Sequence, residues 1–455
     1  MRVISRRVAG ENRLSANGPR QCIYGGDEFR RVVRFGEAMT HSLHRRNFIA
    51  RAASTLLGVH LPRVFAADAK PTGNTKAKNI IYLYMDGGMS HIDTWDPKQG
   101  VTAGPTKAIK TSADGIQIAE YLPRTAKQMH HGAIVRSIAS TQGAHAPGNY
   151  FMHTSYEERG TILHPSLGAW LSMFQGPGNA ELPASAYIGN SSRHPGAGFF
   201  PPVHTPLFVN NPEAGLRDIE LPKSLARESH EARMAVASDL DALFLKKYPQ
   251  REVKAYAEAY DGAFKMMKSA DIAAFDLTQE KKELREKYGS DPFGQGCLLA
   301  RRLIEHGIRF VEVSLHGWDT HTNNFVGTPD LCEKLDAGLA TLVEDLHQRS
   351  LLKDTLVVVT SEFGRTPEIN VNQGRDHYPK AFSSALFGGG VKDGSVFGST
   401  DKTGAEIESD ALRVPDFNAT LAYALGMPLE QIVHSPTMRP FTVANKGKPA
   451  TSLFT

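Results

Sequence analysis

The chain of 455 residues is 41% hydrophobic and 22% charged, a composition that excludes a disordered or fibrous protein and leaves enough apolar side chain for a large core. Its formal charge of +4 is unevenly spread: residues 1–69 hold 12 Arg, no Lys and 5 acidic residues, so the remainder carries −3. A nucleic-acid binder keeps its positive charge in the folded domain, and this chain does not, which excludes nucleic acid as a partner.

Residues 1–38 are Arg-rich with little apolar pattern and read as an extension ahead of the true start, untranslated or disordered, with Met39 where a signal peptide would begin. Residues 39–69 read as a twin-arginine signal peptide: His44-Arg45-Arg46-Asn47-Phe48-Ile49, a weakly apolar stretch to Leu57, then the small residues Ala66-Ala67-Asp68-Ala69. The expected partner during export is the twin-arginine translocase, and the expected location is periplasmic or extracellular. Arg51, His60 and Arg63 break the apolar stretch, so no stable membrane span is expected.

The mature chain, residues 70–455, reads as one domain. Asn79-Ile80-Ile81-Tyr82-Leu83-Tyr84-Met85 is a continuous apolar run ending in Asp86-Gly87-Gly88, the pattern of a central buried strand. Residues 215–290 are charged and predict a helical insert, with helices over 228–247 and 253–287. A helix over 295–306 is stopped by Gly307, and a strand over 308–315 leads into His316-Gly317-Trp318-Asp319-Thr320-His321. A helix over 329–349, with Leu335, Leu339, Leu342, Val343 and Leu346 on one face, precedes a strand over 355–360 that ends in Ser361-Glu362-Phe363-Gly364. Strands alternating with helices predict an α/β fold, a mostly parallel central sheet flanked by helices. Of the three cysteines, Cys22 lies in the leader, and Cys297 and Cys332 fall in helices, where buried unreactive thiols are expected.

Polar clusters follow the strands at their carboxyl ends, where open α/β sheets bind ligands. Asp86, Asp319 with His321, and Glu362 with the nearby Asp376-His377 offer oxygen and imidazole donors suited to a divalent cation, Zn²⁺, Mg²⁺ or Ca²⁺. Each also has a plain structural account: turn chemistry for Asp86, a helix cap for His321, an ion pair with Arg365 for Glu362. Ser90-His91 is a weak signal, because adjacent side chains rarely face each other. Gly388-Gly389-Gly390 lacks the Lys and Ser/Thr of a phosphate loop and predicts a turn.

Several of these motifs, in this order, resemble the DUF1501 family of twin-arginine-exported bacterial proteins, which is related to sulfatases: the Arg-Arg leader, Met85-Asp86-Gly87-Gly88-Met89-Ser90-His91-Ile92-Asp93, Gly317-Trp318-Asp319-Thr320-His321, Ser361-Glu362-Phe363-Gly364-Arg365-Thr366-Pro367 and Gly374-Arg375-Asp376-His377-Tyr378-Pro379. The resemblance implies an alkaline-phosphatase-like fold. Residues 354–364 resemble the sulfatase strand ending Thr-Ser-Asp-Asn-Gly, which puts Glu362 at a metal aspartate and Phe363, unable to coordinate, at a metal asparagine or histidine. Val414-Pro415-Asp416-Phe417-Asn418-Ala419-Thr420-Leu421 resembles a helix near the end of sulfatase domains. Sulfatases carry Cys-x-Pro-Ser-Arg with a Thr nine residues after the Cys, and here His145, Pro147, Gly148, Asn149 and Thr154 stand at those offsets. The formylglycine precursor is thus a histidine.

The expectation is an exported metal-dependent hydrolase-like protein acting on phosphate or sulfate esters of small molecules or glycans without a formylglycine nucleophile. Asp86, Asp319, His321, Glu362 and His377 would hold one divalent metal, with His145 as general base or phosphoryl acceptor. The alternative is a non-catalytic extracytoplasmic binding protein derived from a sulfatase-like enzyme.

Overall fold

The computed structural model describes residues 75–190, 193–216, 227–248 and 251–455. The leader readings at 1–38 and 39–69 lie outside the described residues. In chain order the main elements are β1 (Asn79–Asp86), β2 (Gly132–Ala139), α1 (His145–Thr154), α2 (Leu167–Gln175), β3 (Ser185–Ile188), β4 (Leu207–Val209), α3 (Arg227–Lys247) and α4 (Arg251–Lys268). There follow α5 (Pro292–Glu305), β5 (Phe310–His316), α6 (Asn324–Gln348), β6 (Thr355–Thr360), β7 (Phe382–Gly388), β8 (Ser395–Phe397), β9 (Leu412–Arg413) and α7 (Val414–Ala424).

One nine-stranded sheet runs β8-β2-β7-β6-β1-β5-β3-β4, with β9 also paired to β2. All neighbours are parallel except β7, which is antiparallel to both β6 and β2. The chain therefore has an α/β fold built on a mixed, mostly parallel sheet. β1 is apolar on both faces because both faces are covered. Ile81, Leu83 and Met85 pack with α5 and α6, while Ile80, Tyr82 and Tyr84 pack with α2 and α7.

Registry then decides what meets at the carboxyl edge. β1 pairs residue for residue with β5, ending Asp86↔His316, and with β6, ending Tyr84↔Thr360. Glu362, two residues past the end of β6, thus comes level with Asp86. Because β7 runs the other way, the segment preceding it arrives at the same edge and carries His377. β2, antiparallel to β7, ends there too and hands the chain to His145 at the start of α1.

Some boundaries differ from expectation. α5 starts at Pro292 because Asp291 caps it, accepting from the amides of Phe293 and Gly294. α6 starts at Asn324, so Pro329 sits inside the helix. The expected helix over 253–287 is broken after Lys268: Ser269 and Asp276 each draw a nearby amide (Asp271 and Thr278) into tight turns before a short helix at Lys282–Tyr288. α3 leaves Val236, Leu240, Leu243 and Phe244 exposed. Cys297 and Cys332 are buried free thiols, and Gly388, Gly389 and Gly390 turn the chain with φ of 66°, 55° and 71°. No helix among the described residues is long and apolar enough to cross a membrane.

Two further imidazoles, His164 and His204, are expected to make the fold acid-sensitive. His204 bonds Ser172 Oγ through Nδ1 (2.8 Å), and His164 bonds the Tyr150 hydroxyl (2.8 Å). Burial holds both at about 4, although His204 is only half-buried by exposed area; Arg159 adds to the effect at His164. In the unfolded chain a histidine titrates near ~6.5, so acid favours the unfolded state. Their contribution is complete above about pH 6.5 and is lost as the pH falls to about 4. Denaturant midpoints measured across that range are expected to fall with decreasing pH, and His204→Gln should remove about one proton from the slope; an unchanged slope refutes the assignment.

Candidate metal centre

Five of the six residues singled out from the sequence meet in one network: His145, Asp319, His321, Glu362 and His377. Gly87 makes the meeting possible. Its φ is +121°, and a Cβ there would lie 2.5 Å from the backbone nitrogen of Asp319, so only glycine lets the loop after β5 close over the end of β1. The Gly87 amide donates to Glu362 Oε1 (2.9 Å) and the Tyr84 hydroxyl to Oε2 (3.0 Å), while the Ser361 hydroxyl, 3.2 Å from Oε2, shares its one proton with the nearer Met85 carbonyl (2.6 Å). Glu362 is fully buried, and its remaining capacity goes to the Nδ1–H of His145 (2.9 Å). That bond outweighs burial and raises the His145 pKa.

The three imidazoles are pinned in the same way. His145 gives Nδ1–H to Glu362, His321 gives it to Asp376 Oδ1 (2.6 Å), and His377 gives it to the Gly143 carbonyl (2.8 Å). A ring whose Nδ1 carries the proton has its lone pair on Nε2. All three Nε2 atoms converge on Asp319: His145 at 3.2 Å from Oδ2, and His321 and His377 at 3.1 and 3.3 Å from Oδ1. The Nε2 atoms of His321 and His377 are 3.0 Å apart. Lone pairs that face each other and a carboxylate repel, unless protons or a cation lie between them. Donor atoms of His145, Asp319 and His377 all fall within 4.8 Å of one another. Three nitrogens and one carboxylate, each ring braced through its far N–H, suit Zn²⁺ better than Ca²⁺ or Mg²⁺.

Arg365 is a competing cation. It is fully buried; Nη2 reaches Asp319 Oδ1 at 2.6 Å, while its other donors bind the carbonyls of Gly87, Gly88 and Arg375. Burial works against a charge on Asp319, but Arg365 outweighs it and holds the carboxyl at about 2. The plain account that paired Arg365 with Glu362 therefore has the wrong partner: the guanidinium lies under Asp319. Burial lowers His377, in spite of its bond to Gly143, and keeps its lone pair free. Phe363, which the sulfatase resemblance put at a ligand position, packs against the His145 and His377 rings at 5.3 and 4.6 Å.

Asp86 stands apart. Its Oδ2 binds His316 Nδ1 (2.6 Å), and its side chain lines a neighbouring cavity with Asn149, His153, His194 and Glu312. In that second cluster His153 Nε2 lies 2.9 Å from Glu312 Oε1, and His194 Nε2 lies 3.4 Å from Oε2. Burial opposes the Glu312 charge, yet the two imidazoles bring the carboxyl to about 2. Sequence reasoning gave Arg365 the wrong partner and missed Glu312. An acid in the middle of an apolar strand is a readable sign of a buried partner; nothing marked His194. Ser90, His91 and Asp93 form no dyad: His91 Nε2 bonds the Gly404 carbonyl (2.8 Å), and Asp93 pairs with the fully buried Arg375 (2.7 Å).

Gly87→Ala is expected to cost at least about 2 kcal/mol in chemical denaturation, from backbone strain and the clash with Asp319. Gly100, with φ +80° and nothing within 4 Å of a Cβ, is the control: Gly100→Ala should cost about 1 kcal/mol or less. Equal costs would refute the close-approach argument.

Among solved structures the chain is similar to the lipoteichoic acid synthase LtaP from Listeria monocytogenes (9% identity, 85% of this chain and 79% of that one, TM-score 0.40). It is similar also to the PsFucS1 sulfatase from Pseudoalteromonas sp. (14%, 82% and 73%, 0.37) and to an alkaline phosphatase superfamily protein from Vibrio parahaemolyticus (11%, 89% and 77%, 0.37). No curated protein sequence matches it. The family described as "Protein of unknown function (DUF1501)" matches residues 77–454, nearly all of the described chain, and the protein belongs to that family.

Proposed function

We propose that the protein is an exported hydrolase of phosphate or sulfate esters, carried by small molecules or glycans, that works through one divalent cation of the Zn²⁺ type at the His145, Asp319, His321 and His377 cluster. The observation that carries this reading is the set of three Nε2 lone pairs aimed at one carboxylate, each ring braced through Nδ1. A cation held there would polarise an ester oxygen and lower the pKa of a water. With Asp319, His321 and His377 as the ligands, Glu362 keeps His145 Nε2 turned toward the cleft, where it would accept a proton from an attacking water; if His145 Nε2 binds the cation instead, no lone pair is left for that role. Arg365 offsets part of the Asp319 charge and so lessens repulsion of an anionic ester. Glu362 acts as an orienting anion in this scheme, its oxygens already committed to Gly87, Tyr84 and His145. Asp86, facing the neighbouring cavity, is left out of this ligand set.

The second reading, a binding protein that retains the fold, is favoured by Phe363 where the sulfatase resemblance put a ligand and by the lack of any hydroxyl or thiol in the cluster. Metal analysis of protein purified from the periplasm, followed by a screen of aryl phosphates and sulfates, separates the two. The hydrolase reading expects bound metal and turnover; metal without turnover supports the binding reading. His145→Ala should lower hydrolysis or metal affinity at least about tenfold with little loss of thermal stability. A large stability loss with metal binding intact would sink its proposed role.

Export by the twin-arginine route belongs to the same proposal and rests on Arg45, Arg46 and the weakly apolar stretch after them. Replacing both arginines by lysine should retain the protein in the cytoplasm, as read by fractionation. Continued periplasmic delivery refutes the route.

A further inference from the structure

The cavity beside the candidate centre is lined by buried acceptors short of donors. Asn149 Oδ1 and Asp86 Oδ1 are buried with no hydrogen-bond donor among the described residues, Glu312 Oε2 has only the distant His194 Nε2–H at 3.4 Å, and all three residues line this one cavity. The Glu312 and Asn149 side chains belong to residues only 1% and 5% exposed. An unmatched buried acceptor is costly, and three around one space call for a donor or a cation between them. The space measures about 10 Å³ at a water-sized radius, room for one water or one ion.

The imidazoles point to a metal as that occupant. His153 gives Nδ1–H to the Asn149 carbonyl (2.8 Å), which leaves the Nε2 lone pair facing Glu312 Oε1 at 2.9 Å. Lone pair against carboxylate is unfavourable unless a proton or a cation joins them. One donor atom from each of His153, His194 and Glu312 lies within 4.8 Å of the others. Two donors on a tetrahedral ion at about 2.0–2.1 Å stand roughly 3.3 Å apart, near the 2.9 Å between His153 Nε2 and Glu312 Oε1. His194 has a different part, since the Gly196 amide donates to its Nδ1 (3.0 Å) and fixes its proton on Nε2, toward Glu312 Oε2. Arg193 also lines the cavity, and its charge opposes a cation there.

We propose that this cavity is a second cation site, binding one first-row divalent metal through His153 Nε2, the Glu312 carboxylate, Asn149 Oδ1 and Asp86 Oδ1, with His194 orienting the far oxygen of Glu312. One imidazole and three oxygens suit Zn²⁺ or Mn²⁺. The site shares no ligand with the first centre.

The test is a Zn²⁺ titration of metal-stripped protein by calorimetry, with metal content measured on the same samples. Two equivalents are expected for the wild type. Glu312→Gln and His153→Gln should each lose one equivalent, or weaken it at least about tenfold, while His321→Ala loses the other. If His321→Ala matches the wild type and Glu312→Gln does not, the first centre fails and the second stands. Retention of every equivalent in both Glu312→Gln and His153→Gln overturns the second site. Should those variants fail to fold, the Zn²⁺-induced rise in melting temperature of His321→Ala decides: a rise supports the site, and its absence overturns it.

Discussion

The parallel registry of β1 against β5 and β6 governs everything at the carboxyl edge. A parallel pair cannot slip by one residue without turning every side chain to the opposite face, and β1 buries both faces against different helices. The pairings Asp86↔His316 and Tyr84↔Thr360 are therefore fixed by the core rather than by the site. Polar groups placed one or two residues past the apolar runs inherit that precision, and Glu362 meets the Gly87 amide because the strands leave it no other height.

Buried charge then does what apolar packing cannot. Glu362, Arg365, Asp93 and Arg375 all have fully buried side chains, and each is surrounded by partners. Arg375 ties Asp93 to the Thr102 carbonyl, and Arg365 ties Asp319 to the loop after β1. Removing one member of such a pair leaves an uncompensated charge, which is far more damaging than never having had the pair. The loops of the edge are thereby held as firmly as strands, a condition for any site whose donors must converge to within a few tenths of an ångström.

The three central strands β1, β5 and β6 were legible as largely apolar runs, and the strand over 355–360 falls where the pattern put it; the other six strands of the sheet were not predicted. Asp319, His321 and Glu362 were legible as polar residues just past strand ends, and His377 only as a residue that follows Glu362 in sequence. Asp86 looked equivalent to them and is not, since its side chain alternates to the face where His316 and the second cavity lie; strand polarity places a residue at an edge but loop geometry decides which hollow it enters. His145 was found only through resemblance, because a histidine at a helix start has no local signature. Arg365 was given the wrong partner and Glu312 went unread for a shared reason: charges are expected on the surface, and only the three-dimensional partners explain their burial. The helix break after Lys268 depends on whether Ser269 and Asp276 bond their own neighbours, which competes closely with helix continuation.

The position of β1 in the sheet has a consequence for the growing chain. β1 is the first of the nine strands to be made, yet its two neighbours begin at Phe310 and Thr355, so more than half of the polypeptide must follow before its edges are paired. Loop closure over such lengths is slow, and an unpaired apolar strand invites association with other chains while it waits. A nascent chain of this design depends on something to shelter residues 79–86 until β5 and β6 arrive, and a truncated chain ending before residue 355 is expected to accumulate as aggregate rather than as a partial fold.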